Sequence, residues 1–189
     1  MLILLAALLL PAHDGSAPAA TDVAHMAALY AEACLNTFPI DAELDALMVR
    51  KGATPLVADE LRISLGNDPG RGWTVPDGDQ TFTVMLELPP YHACSVRASR
   101  PTSGTLDLAP YRAVIAPFVA SHRGFASQPA LDANRGGVHI HAEVQQRSLP
   151  AGGGETLIVV DQQVVDAAQL APGTTATPLR FVHQIATGN

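Results

Sequence analysis

The chain has 189 residues, 48% of them hydrophobic, and a net charge of −7, which suits one domain with a core and excludes global disorder. An acidic balance without clustered cations excludes a nucleic-acid-binding protein. Aromatic residues at 5% are too few to stack bases or sugars, and two cysteines exclude a zinc-cluster protein.

The opening decamer, MLILLAALLL, is shorter than the roughly 20 residues that a bilayer span needs. Pro11 ends it, and Ala17-Pro18-Ala19 offers the small-x-small pattern of signal-peptide cleavage. Residues 1–19 therefore read as a signal peptide, and 20–189 as a single mature domain with no membrane span. Export predicts a periplasmic or secreted protein.

Val23, Met26, Ala27, Tyr30 and Cys34 recur at three- and four-residue steps. That spacing predicts a helix over 22–36, capped by Thr21 and stopped at Phe38-Pro39. A second helix starts at Asp41 as cap, buries Leu44, Leu47 and Met48, and ends at Gly52. Its early Glu43 and Asp45 and late Arg50 and Lys51 suit the helix dipole. Thr54 as cap, Pro55 at the first position and Gly66 as the stop predict a third, short helix anchored by Leu61 and Leu65. Asn67 to Gly72 then reads as a loop.

From Trp73 the period changes to two. Phe82, Val84, Leu86 and Leu88 share one face of a strand, and His92, Cys94, Val96 and Ala98 share one face of the next. Asp107 to Ala120 is a helix with Pro117 inside it, a kink site. Ser121 to Gly137 reads as irregular. Val138 to Ser148 alternates, which predicts Val138, Ile140, Ala142 and Val144 toward the core, and His139, His141, Glu143, Gln145 and Arg147 away from it. LPAGGG is a hairpin loop, and strands at Thr156 to Val165 and Leu179 to Ala186 complete the chain. Helices followed by β-β-α-β-β-β make an α+β fold, an antiparallel sheet with helices against one face. The order is like that of profilin-like and PAS-like sheets, an analogy that carries no function.

Cys34 and Cys94 permit one intramolecular pairing. In an oxidising compartment they tend to form it, and closing a loop of about 60 residues adds about 4 kcal/mol by chain entropy. A reactive thiol is the alternative, favoured only by His92 two residues from Cys94, and a pair of free buried cysteines is the third. The stretches Ala33-Cys34-Leu35-Asn36-Thr37-Phe38-Pro39, Asp68-Pro69-Gly70-Arg71-Gly72-Trp73 and Pro90-Tyr91-His92-Ala93-Cys94-Ser95-Val96-Arg97 resemble the landmarks of small exported alphaproteobacterial proteins. That resemblance covers Asp22 to Arg97 and implies export and the paired cysteines, without supplying an activity.

Two constellations carry the chemistry that the sequence suggests. His139-x-His141 places two imidazoles on one strand face, about 7 Å apart and within reach of one Zn or Cu ion. A third ligand, Asp161 or His183, would have to come from another strand. The plainer reading of this row is an exposed polar strand face. Tyr91, His92 and Arg97, with Arg71 from the loop, would line a pocket for a small anion, since arginine offers a planar fork to oxyanions. The plainer reading there is local hydrogen bonds and surface ion pairs. Hydrolase, Walker and dinucleotide motifs are missing.

Three functions follow. The leading one is an exported, non-catalytic binding or accessory protein of the cell envelope, with no cofactor and an unknown protein or small molecule as partner. The second is a periplasmic metal-binding protein using His139 and His141. The third is a small hydrolase or isomerase with a site around His92 and Arg97.

Overall fold

The computed structural model describes residues 22–99, 106–170 and 178–187. The predicted signal peptide and Thr21 lie outside them. Helix α1 spans Val23–Tyr30, and Asp22 caps it by accepting from the Ala24 and His25 amides. The single helix expected here changes form midway. A π-helical segment, Ala31–Thr37, follows directly and carries Cys34. Helix α2 is Asp41–Arg50, with Asp41 its first residue rather than its cap. Helix α3 is Ala58–Leu65 and α4 is Ala109–Ser121, with Pro117 inside it.

The strands are β1 (Thr54–Pro55), β2 (Gly70–Asp77), β3 (Gln80–Glu87), β4 (Tyr91–Ser99), β5 (Ala126–Ser127), β6 (Leu131–Arg135), β7 (Val138–Ser148), β8 (Gly153–Val164) and β9 (Pro178–Thr187). They form one antiparallel sheet in the order β1-β2-β3-β4-β9-β8-β7-β5, and β6 also pairs with β7. The α+β architecture holds, with strands added to the expected set.

The four added strands are β1, β2, β5 and β6. Thr54 and Pro55 pair with Thr74 and Trp73 instead of opening a helix. Helix α3 starts three residues later, where the Glu60 carboxylate accepts from the Val57 amide at 3.0 Å. Gly70 and Gly72, which suggested a loop, lie inside β2, because glycine in a strand also permits close packing. A Cβ at Gly72 would stand 2.5 Å from the Met85 sulfur and 2.8 Å from Leu56. Within the stretch expected to be irregular, β5 and β6 line the outer edge of β7. Gly136 and Gly137, at φ 53° and 77°, make the two-residue turn of the β6–β7 hairpin.

One face of the sheet is covered. Met26 and Tyr30 of α1, Cys34, Leu44 and Leu47 of α2, and Tyr111 and Ile115 of α4 form one core with Phe82, Val84, Leu86, Val96, Leu157, Leu179 and Phe181. The paired cysteines are a disulfide, Cys34–Cys94, with Cα atoms 5.3 Å apart. It ties the π-helical segment to the centre of the sheet.

Candidate functional site

Strand β7 faces the other way from the sequence expectation. Register decides this. Gln145 pairs with Leu157, Glu143 with Val159 and Arg147 with Glu155. Directly opposed residues point to the same side of a sheet, and Leu157 and Val159 are core residues under the helices. The row His139, His141, Glu143, Gln145 and Arg147 therefore lies on the helix side. The apolar set of β7 shares the opposite face with Ile158 and Val160, paired with Val144 and Ala142.

Helix α4 leaves a cleft against β7 on the helix side. The cleft holds about 380 Å³ and is lined by Ile115, Ala116 and Val119 on one wall and Glu143 and Gln145 on the other, with Tyr111 also in its lining. The Tyr111 hydroxyl is buried without a hydrogen-bond partner among the described residues. Its pKa is raised, first by burial and then by the Glu143 charge. Glu143 bridges the walls, taking the Arg112 guanidinium through Nε at 3.0 Å and through a second nitrogen. That contact, helped by His141, holds the Glu143 carboxyl below its usual range despite partial burial.

A polar relay continues from the rim. His141 places Nδ1 3.2 Å from Asp132 and Nε2 3.3 Å from Glu143. Burial works to lower the His141 pKa, but hydrogen bonds to the two carboxylates outweigh it and raise it. His139 sits 2.9 Å from Asn134 and 3.5 Å from Asp132. Asp132 thus serves both histidines, held opposite His141 by the β6–β7 register. Among the described residues no group of three or more His, Cys, Asp or Glu side chains is arranged to hold a metal ion. His183, one of the expected third ligands, is buried elsewhere, with Nδ1 2.6 Å from the Cys34 carbonyl and Nε2 2.7 Å from Glu155.

The four expected anion-site residues do not converge. Arg71 donates to both oxygens of Asp45, at 2.7 and 2.8 Å. His92 sits 2.8 Å from Asp41, its ring edge-on to Phe38. Both partners are carboxylates of α2, one turn apart. Tyr91 and Arg97 stand on the opposite face of β4, because residues an odd number apart on a strand point to opposite sides. Tyr91 is exposed. A single cleft containing His92 and Arg97 is therefore absent from the described residues.

Tyr111, Arg112 and Asp132 were not singled out from sequence. One signal was available for Asp132. Leu131-Asp132-Ala133-Asn134-Arg135 before Gly136-Gly137 is a strand followed by a two-glycine turn. Tyr111 and Arg112 had no such signal, since α4 meets β7 only through the tertiary fold. Comparison of the chain with protein-family models, curated proteins and solved structures gives no match.

Proposed function

We propose that the chain is an exported, non-catalytic binding protein whose ligand occupies the cleft between α4 and β7. The carrying observation is the cleft's chemistry. Apolar walls supply burial, while Glu143 and Gln145 supply polar contacts, the usual composition of a small-molecule site. The ligand it fits is a small, largely apolar molecule with a hydrogen-bonding group for Gln145 or Glu143. Support for export comes from the apolar leader, the resemblance of the cysteine landmarks and the disulfide, together with the lack of a membrane-crossing helix among the described residues. A mature N-terminus at Ala20 in a periplasmic or culture fraction is the expected mass-spectrometric result, and an uncleaved Met1 contradicts export.

The neutral fluorophore N-phenyl-1-naphthylamine tests the binding site. It should bind saturably to the chain, and Ala116→Trp, which fills the cleft from an exposed helix position, should abolish binding while leaving Tm unchanged. Equal binding by this variant contradicts the reading. Turnover of any substrate that is lost in His92→Ala or Arg97→Ala would overturn the non-catalytic assignment.

A further inference from the structure

The face of the sheet away from α1 and α4 carries two arginines side by side. Arg97 on β4 and Arg180 on β9 are register partners, so both side chains rise from adjacent strands on the same side, with Cβ atoms about 5 Å apart. Neither forms an ion pair among the described residues. Arg97 Nε reaches only the Ser95 hydroxyl, at 3.3 Å, and Arg180 Nε is buried with no partner. Burial, followed by the neighbouring Arg180, pushes the Arg97 guanidinium down to about 10. Burial lowers Arg180 as well.

Two partly buried guanidinium groups held side by side destabilise the empty protein, and an anion between them relieves both the repulsion and the lost hydration. The space for one exists. A recess of about 130 Å³ is lined by both arginines, Ser95 and Gln184, with Leu65 of α3 and Met85 among its apolar walls. Glu87 also lines it, and its charge offsets part of the fall in the Arg97 pKa. Burial, then Asp68, raises the Glu87 carboxyl, while Arg97 lowers it. Two guanidinium groups against one carboxylate leave the recess with a net positive charge.

We propose that Arg97 and Arg180 bind a small oxyanion, a carboxylate or a phosphoryl group, with Ser95 and Gln184 completing its hydrogen bonds. Each guanidinium offers parallel N–H donors that match the two oxygens of such a group. The Ser95 hydroxyl accepts from Arg97 and retains its own proton to donate. This site lies on the opposite face of the sheet from the α4–β7 cleft and does not depend on it.

NMR titration of the whole chain tests the proposal, with inorganic phosphate in one arm and acetate in the other, at constant ionic strength. Saturable shifts at the Ser95, Arg97, Arg180 and Gln184 amides are expected. Tighter phosphate binding assigns a phosphoryl ligand, and tighter acetate binding a carboxylate. Arg180→Gln and Arg97→Gln should each weaken binding about tenfold or more, while Glu87→Gln should strengthen it. Arg180→Lys, which keeps the charge but loses the fork, should bind more weakly than the parent chain, and the cleft variant Ala116→Trp should bind equally well. Shifts that never saturate in the parent chain, or that saturate equally in Arg180→Gln, overturn the proposal.

Discussion

The covered side of the sheet has two unlike halves. On β3 and β4 it is Phe82, Val84, Leu86, Cys94 and Val96, all fully buried, with the disulfide joining strand to helix. On β7 the same side is His139, His141, Glu143, Gln145 and Arg147. Strands β8 and β9 lie between and mix both kinds, placing Glu155 and His183 beside Leu157 and Phe181. The first half is held by burial and a covalent tie. The second must pair every charge it takes out of water, because an unpaired buried charge costs several kcal/mol. Arg147 and His183 both meet Glu155, which is 3% exposed. The two His183 ring nitrogens face the Cys34 carbonyl and the Glu155 carboxylate. The α4–β7 cleft lies against the half without a packed apolar side.

The sharpest way to break this contrast is to remove each half's fastener. Replacing the disulfide with Cys34→Ala/Cys94→Ala should cost about 4 kcal/mol, from the freed unfolded chain, read as a fall in the urea midpoint. Glu155→Gln should cost about 3 kcal/mol, because it leaves Arg147 and His183 without their carboxylate. A neutral outcome for Glu155→Gln would mean that the second half is not held by its charges. Gly72→Ala probes β2 through packing alone. Its new methyl meets the Met85 sulfur and Leu56, and the cost should be about 1–3 kcal/mol.

Acid separates the halves without mutation. Burial works to raise the Glu155 pKa, but hydrogen bonds from His183 and Arg147 outweigh it, so the carboxyl lies below its ordinary 4.5. Glu143 lies below 4.5 too, chiefly through Arg112. Below pH 4.5 the unfolded chain binds these protons before the folded one does, so stability falls as pH drops through the folded values. Above pH 4.5 this contribution is complete. Glu155→Gln should flatten the acid limb of a stability-against-pH curve, whereas Gly72→Ala should shift the curve down without changing its shape. The smallest effect belongs to the relay at the rim. His139→Ala/His141→Ala removes partly exposed contacts and should change stability by less than about 1 kcal/mol at pH 7.

The same contrast explains what the sequence made legible. Helical spacing found α1, and β-alternation found β3, β4 and β9, because their apolar faces are the covered faces. The alternation of β7 also located its strand correctly but pointed to the wrong side. Val138, Ile140, Ala142 and Val144 are the apolar set, yet the register with β8 sends them to the face that α1 and α4 do not cover. A period-2 pattern separates two faces without naming which one meets the helices. The cleft was illegible for that reason. It needs Glu143 and Gln145 turned toward α4. The arginine pair was half legible: Arg97 was singled out as an oxyanion ligand, but Arg180 is 83 residues farther along the chain, and only strand pairing reveals it.

Amide chemical-shift mapping with N-phenyl-1-naphthylamine tests the binding-cleft assignment most directly. The account predicts saturable shifts confined to the two walls of the cleft, at Ile115, Ala116 and Val119 on α4 and at Glu143 and Gln145 on β7, and no shifts in Ala116→Trp. Saturable shifts centred elsewhere, or no shifts in the parent chain, would contradict it.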